Sequence, residues 1–517
     1  MSMIPQQEAF AFLADPATHG LPSGKVKRIA THVAEVFLAG DRVYKVKRAV
    51  RYAFLDFSDL EARRLACETE VRLNRRTAPD IYLGISAVRR TAEGRLVLDS
   101  DGQGEGEVIE WAVRMRRFDE TRTLDLLADQ GTLEARWIDS LIDAVVVLHE
   151  QAEVRGAPYG GAEGLDRIID DNLEDMARFP AVFDPGSLAR LIDAKRQALG
   201  ANAQLLDRRR EEGFVRRCHG DLHLGNVVLW QERPTPFDCI EFSESIGSID
   251  VAYDLSFLLM DLEVRGLRAL ANRAMGRYFG RQGQVEVLSA LPLMLSLRAS
   301  VRAKVNAMAA QGKKDRFERE HSLETARKLF AAAETFLSDR REPRLLVVAG
   351  LSGSGKTTLA GALAPLVGRT PGALHLRSDV LRKRLGGVEP EERLPAEAYG
   401  EESSRAVYEL LLAEGRGALA AGQAVVLDAV FARPEERAAA EAIAREAAVP
   451  FQGLWLDAPE DALKSRVTAR QGDASDATAA VVEQQLGYQV GQLSWTRIDA
   501  SGGAEAVLQE ARKELRF

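Results

Sequence analysis

A chain of 517 residues, 46% apolar and 28% charged, is too long for one hydrophobic core and too apolar for disorder. Roughly two to four structural units are expected. The formal net charge of −8 provides no surplus of Lys and Arg to neutralise a phosphate backbone, which counts against a general nucleic-acid surface while leaving a local basic groove open. Cys67, Cys218 and Cys239 are odd in number and lack CxxC pairing. They read as small buried hydrophobes in a reducing compartment, not as a disulfide framework or a zinc site. No apolar run reaches the ~18–20 residues of a bilayer span. The start, MSMIPQQEAFAFLADP, has no basic segment followed by a long apolar core, so a cytoplasmic protein is expected.

Residues 1–118 mix strand and helix signals. HVAEVFLAG and DRVYKVKRA read as two strands joined at Gly40-Asp41, and a charged helix is predicted from about Ser58 to Arg76. EVIEWAVRMRRF is another strand, and the preceding SDGQGEGE reads as a hairpin loop, since no helix follows its glycines. Residues 119–337 are mainly helical, interrupted by one compact β-like stretch over 215–242. In the helix SLIDAVVVLHEQA, His149 is expected to pack or cap. The charged, proline-containing residues 338–343 are the linker candidate. Over 344–517, the apolar runs RLLVVAG, GALHLRS, AVVLDAVF, FQGLWLDA and TRIDAS alternate with helical segments, the pattern of a parallel, doubly wound sheet.

Gly350-Leu-Ser-Gly-Ser-Gly-Lys356-Thr357 matches GxxxxGK[ST] in full, follows an apolar strand and opens a helix. Gly350, Gly353 and Gly355 would let backbone N–H groups converge on phosphate oxygens at a helix N-terminus, with Ser354 and Thr358 in the same cradle. Lys356 is the point charge for the β- and γ-phosphates, and the Thr357 hydroxyl is a magnesium ligand. Asp379 and Arg382 follow the next strand, where substrates of open α/β sheets bind. A carboxylate there can take a hydroxyl proton and an arginine can orient an anion, although Ser378 or Asp379 would also serve as a helix N-cap. Asp428 ends the strand VVLD, where it would hold magnesium through water. Arg466 and Arg470 stand one helical turn apart before a polar loop, and read either as lid arginines or as a solvated helix face. GLSGSGKTT, SDVLRKRL and SRVTAR together resemble the P-loop kinases that include zeta toxins, chloramphenicol phosphotransferase, gluconate kinase and polynucleotide 5′-hydroxyl kinases. That resemblance implies Asp379 as general base and Arg382 as a substrate contact. No NKxD base-recognition motif appears downstream, which favours ATP.

A second constellation lies upstream. His219-Gly-Asp221-Leu-His-Leu-Gly-Asn226 has the Asp-to-Asn spacing of a kinase catalytic loop, in which the carboxylate accepts a hydroxyl proton and the amide holds magnesium. A tight turn and a histidine–carboxylate metal cluster are the alternatives. The acid expected after the next hairpin falls on Glu241 in PFDCIEFSES. Asp238, three residues earlier, would face the opposite side of a regular strand. Residues of about 25–335 resemble the aminoglycoside phosphotransferase and choline-kinase-like fold, with HGDLHLGN as the catalytic loop and IEF where that family has IDW or IDF. The resemblance implies a bilobal protein-kinase-like fold. It also implies a phosphate-orienting lysine at Lys45 or Lys47, an ion-pair partner at Glu70 or, second, Glu68, and a structural role for Asp254. Joined, the two resemblances imply a bifunctional phosphotransferase that uses ATP and Mg2+ on hydroxyls of small molecules. A degenerate kinase-like module regulating the P-loop kinase, and a nucleic-acid 5′-hydroxyl kinase, are the rival readings.

Overall fold

The computed structural model describes residues 4–21, 26–52, 55–469 and 472–515. The chain forms two compact units, Met1–Gly164 with Asp207–Leu255, and Leu165–Leu206 with Ser256–Phe517.

The first unit is built on a six-stranded antiparallel sheet in the order Lys27–Ala30, Ala34–Ala39, Arg42–Lys47, Glu107–Arg116, Tyr82–Arg90, Leu96–Asp99. Gly40, at φ +60°, makes the tight turn between the second and third strands, and the register sets Val36 opposite Lys45 and Ala34 opposite Lys47. Strand alternation puts Tyr44 and Val46 on one face, against Phe10 and Leu13 of the helix Ile4–Ala14. Lys45 and Lys47 share the other face with the helix Leu60–Asn74, which the Asp59 carboxylate caps by accepting from the N–H groups of Glu61 and Ala62. That helix is heavily charged, yet Cys67 and Val71 pack into the sheet beside Trp111 and Val113.

Two strands, Tyr82–Arg90 and Leu96–Asp99, were not foreseen, and they change the reading of SDGQGEGE. The segment is no hairpin loop, because the strands it joins lie on either side of Tyr82–Arg90. The Asp99 carboxylate organises it, accepting from the N–H groups of Gly102 (3.1 Å) and Gly104 (2.7 Å) and from Arg89 (2.8 Å). The β-like stretch beyond residue 215 resolves into Val215–Arg217, paired with Ser248–Asp250, and the hairpin Val227–Trp230/Arg233–Pro236. All three cysteines are buried.

The second unit holds a five-stranded, fully parallel sheet in the order Leu374–Arg377, Val425–Asp428, Leu345–Gly350, Phe451–Asp457, Thr496–Asp499. The five runs expected from the sequence supply these five strands. One face is packed by the helices Lys356–Leu363 and Ala504–Leu515 through Leu359, Leu363, Val507 and Leu515. At the sheet edge, the helix Arg268–Gln282 lies against Leu374–Arg377. Asn272 Nδ2 donates to Ala373 O (2.8 Å), Arg268 Nε donates to Pro365 O (2.8 Å), and Gly276 permits close approach to His375. Asp339, within 338–343, accepts from Thr370 N (2.9 Å) and Oγ1 (3.0 Å). The fold is mixed α/β, with an antiparallel kinase-like sheet in one unit and a parallel P-loop-type sheet in the other. Among the described residues no helix is long and apolar enough to cross a membrane.

Candidate active sites

The P-loop turns sharply out of the strand Leu345–Gly350. A Cβ at Gly350 (φ +142°) would stand 2.7 Å from Leu456 O, and one at Gly353 (φ +83°) would collide with Leu463 O, so both positions require glycine. Gly355 (φ +91°) is the N-cap of the helix Lys356–Leu363. The loop's N–H groups and the helix N-terminus therefore converge where Lys356 and Thr357 begin the helix. Ser354 Oγ is buried with no hydrogen-bond partner among the described residues, and Lys356 Nζ reaches Leu351 O at 3.3 Å. The Ser352 N–H donates to Gln485 Oε1 (2.8 Å) from the helix Ala479–Leu486, a contact across 133 positions with no local sequence signal.

Asp428 ends its strand in register with Val348 on one side and Arg377 on the other, and is buried. Burial alone would raise its carboxyl. The His375 hydrogen bond (3.3 Å) and the charges of Lys356 and Arg377 outweigh this and hold it down at about 2. Asp379 stands in the first turn of the helix Ser378–Leu385 and is partly exposed. The N-cap is Arg377, without a side-chain cap bond, so neither Ser378 nor Asp379 serves as the cap.

Arg382 and Arg466 both bond backbone carbonyls. Arg382 Nη1 donates to Ala398 O (2.7 Å), and the guanidinium lies 4.9 Å from the Tyr399 ring centroid, so it braces the segment after its helix. Arg466 Nη2 donates to Ala500 O (2.9 Å) and Gly502 O (3.2 Å), and Nη1 to Gly353 O (3.4 Å). It ties the P-loop to the loop after the last strand. Arg470 lies outside the described residues. The segment after the helix Glu460–Ala469 is instead fastened by acids. Asp473 accepts from Arg377 (2.5 Å), and Asp476 accepts from Lys383 (2.6 Å) and the Tyr399 hydroxyl (2.5 Å).

In the kinase-like unit the loop His219–Asn226 is held from beneath by Asp254, which opens the helix Val251–Val264. Its buried carboxylate accepts from His219 N (3.1 Å) and Gly220 N (2.9 Å), with His149 Nε2 at 3.1 Å. His149 therefore orients this acid within the core. Gly220 adopts φ +86° beneath Ile240. On the open side, Asn226 Nδ2 donates to Asp221 Oδ2 (2.9 Å) and Asp221 O (2.9 Å), which fixes the amide and turns its Oδ1 the other way. Phe237 N donates to Asn226 O (2.9 Å) and Ile240 N to His219 O (3.0 Å), latching residues 237–240 along the loop.

Glu70 is buried between two lysines. Its Oε1 is 2.9 Å from Lys45 Nζ, and its Oε2 bonds Lys47. Burial would raise the Glu70 carboxyl, but the two ammonium groups outweigh it and hold it at about 2. Glu68 instead pairs with Arg64 at the surface. Lys45 also meets Asp238 Oδ1 (2.5 Å), and Lys47 meets Glu241. A regular strand would put Asp238 and Glu241 on opposite faces. Residues 237–241 form no strand, and Asp238 sits at φ +63°, so both acids turn to the same lysine pair. Tyr82 Oη accepts from Asp238 N (3.2 Å) and Asn74 Oδ1 from Cys239 N (2.9 Å). These supports lie more than 150 positions away and escape any sequence pattern.

Residues 41–288 match the model of the phosphotransferase enzyme family, and residues 345–490 match that of an AAA domain. With the site geometry, these matches define the chain as an ATP-dependent kinase. It belongs to the same family as an uncharacterized protein of Mycobacterium tuberculosis, 30% identical over 489 residues and covering 93% of each chain. Among solved structures it is similar to a sugar kinase from Janibacter sp. (23% identity, 34% of this chain, 95% of that chain, TM-score 0.27). It is also similar to a choline/ethanolamine kinase family protein from Mesorhizobium loti (16% identity, 64% of this chain, 99% of that chain, TM-score 0.39).

Proposed function

We propose that the protein is a bifunctional, cytoplasmic kinase that transfers the γ-phosphoryl group of ATP to hydroxyls of small molecules at two separate sites. Residues 1–337 would form the first catalytic segment, with lobes at 1–118 and 119–337, and residues 344–517 the second. The observation that carries the reading is that each unit holds its own set of phosphoryl-transfer groups. One has Asp221 paired with Asn226 (2.9 Å) beside the Lys45–Glu70 pair, and the other has a full P-loop facing Asp428.

In the kinase-like site Asp221 takes the acceptor hydroxyl proton as the new oxygen–phosphorus bond forms and the bond from the γ-phosphorus to the β–γ bridging oxygen breaks, releasing ADP. In the P-loop site Asp379 takes that proton, and Lys356 and the loop N–H groups stabilise charge on the phosphates. The oxygen donors Asn226 with the nearby acids, and Thr357 with Asp428, suit Mg2+, which would neutralise phosphate charge in each site. Arg382 and Arg466 act by bracing backbone.

A screen of metabolite pools for labelled phosphate transfer from ATP tests this, with K356A and D221N as controls. Each variant should lose one product and keep the other. If both products share one scaffold, the sites act in sequence. Unrelated substrates for D221N and D379N would refute sequential action, and labelling of 5′-hydroxyl oligonucleotides alone would refute the small-molecule reading. The contact of Glu241 with Lys47 favours a second reading, in which the first unit binds nucleotide only to regulate the P-loop site. A D221N variant with unchanged products but altered P-loop turnover would support it.

A further inference from the structure

The acids and lysines of the kinase-like site are not equivalent. Lys47 and Glu241 have side chains only 1% and 5% exposed, whereas Lys45 and Asp238 are 16% and 43% exposed. The inner pair is closed off and the outer pair faces the open side of the cluster. Glu241 cannot turn to a metal without leaving its contact with the buried Lys47 ammonium.

The charges point the same way. Glu70, Asp238 and Glu241 bring three carboxylates to two ammonium groups, Lys45 and Lys47. Asp238 and Glu241 each share a lysine with Glu70, and Asp238 is the most exposed of the three, so it is the acid that can turn outward. The backbone is set for this acid as well. Phe237 is bonded to Asn226 O, so Asp238 comes directly after the residue latched to the catalytic loop. Its left-handed conformation, uncommon outside Gly, Asn and Asp, is held by Tyr82 Oη on its N–H.

We infer that Asp238, not Glu241, supplies the metal-binding carboxylate of the kinase-like site, with Lys45 as the phosphate-side lysine and Lys47 retained to neutralise Glu241. This rests on the reading of that unit as a phosphotransferase. A sequence written IEF in place of IDW is then no mark of a dead site, because the acid has moved three residues upstream and the backbone has turned to present it.

The test uses the full chain carrying K356A, which silences the P-loop, titrated with Mn2+ and a non-hydrolysable ATP analogue while free Mn2+ is followed by electron paramagnetic resonance. D238N should weaken metal–nucleotide binding by about tenfold or more, and E241Q by less than about threefold while lowering the melting temperature. K45M should raise the nucleotide Kd more than K47M does. Because Asp238 is half-exposed, D238N is expected to fold. A folded D238N chain that keeps its Mn2+ affinity overturns the assignment whatever E241Q does, and so do equal losses in both. A K356A chain that binds no metal–nucleotide at all overturns the phosphotransferase reading of the unit, and this assignment with it.

Discussion

Asp254 offers the sharpest separation of the two sites. Its Oδ2 receives the His219 N–H with His149 Nε2 beside it, and its Oδ1 receives the Gly220 N–H, all within a buried setting. Asp254→Ala leaves two buried backbone donors unmet, at about 1–3 kcal/mol each, so a loss of about 2–6 kcal/mol is expected for that unit. Asp254→Asn keeps the shape, but its NH2 must face one of the two loop N–H groups in either orientation, which predicts about half that loss. In urea melts followed by tryptophan fluorescence, the unit holding Asp254 should unfold earlier in the order Ala, Asn, wild type. Nucleotide binding at the kinase-like site should fall in parallel, and P-loop turnover should stay within about twofold of wild type at urea concentrations below the transition. If Ala and Asn cost the same, or if Ala costs less than about 1 kcal/mol, the support of the catalytic loop by this carboxylate is misread.

Asp428 predicts a pH effect. Its folded carboxyl, at about 2, lies below the ordinary 3.8, so it contributes stability that is fully present above about pH 4 and lost as pH falls through 2. At about 1.4 kcal/mol per unit this amounts to about 2 kcal/mol, and the stability gap between wild type and D428N in denaturant melts should shrink over that window. Gly353→Ala forces a Cβ into Leu463 O at a positive φ. It should cost about 1–3 kcal/mol and abolish nucleotide binding by the P-loop in fluorescent-nucleotide titrations, while the kinase-like site still binds. A fragment starting at residue 344 loses the Asn272 and Arg268 contacts and the Leu288 carbonyl that receives the half-buried Arg369. It should melt at lower temperature and aggregate more than a chain that keeps them, measured by scanning calorimetry and light scattering.

The P-loop and its five strands were legible because their signals are contiguous: a fixed-spacing motif between an apolar run and a helix. The Asp221–Asn226 pair was legible from the fixed spacing of one local loop, whereas the structural role of Asp254 came only from the resemblance to the aminoglycoside phosphotransferase fold. Tyr82–Arg90 hid because Gly84, Ser86 and two arginines break the alternation of a half-buried strand, while its pairing with Glu107–Arg116 is non-local. Asp238 was misread because the side on which an acid emerges depends on its own φ, and one left-handed residue cancels the two-residue period. Arg382 and Arg466 carry the charge a phosphate site needs, and their spacing does not reveal the backbone carbonyls they also bond.

The helix Arg268–Gln282 has a consequence for how the chain is made. A parallel sheet ends in strands with unpaired backbone groups, which invite pairing with other chains. Here the rim at Leu374–Arg377 is covered by a helix encoded about a hundred residues earlier, whose Asn272 amide occupies the Ala373 carbonyl. During synthesis that cover emerges first and waits for the strand it will shield. A gene fission at the proline-bearing connector would separate the strand from its shield. The kinase-like and P-loop parts of the chain can stay fused for such a reason alone.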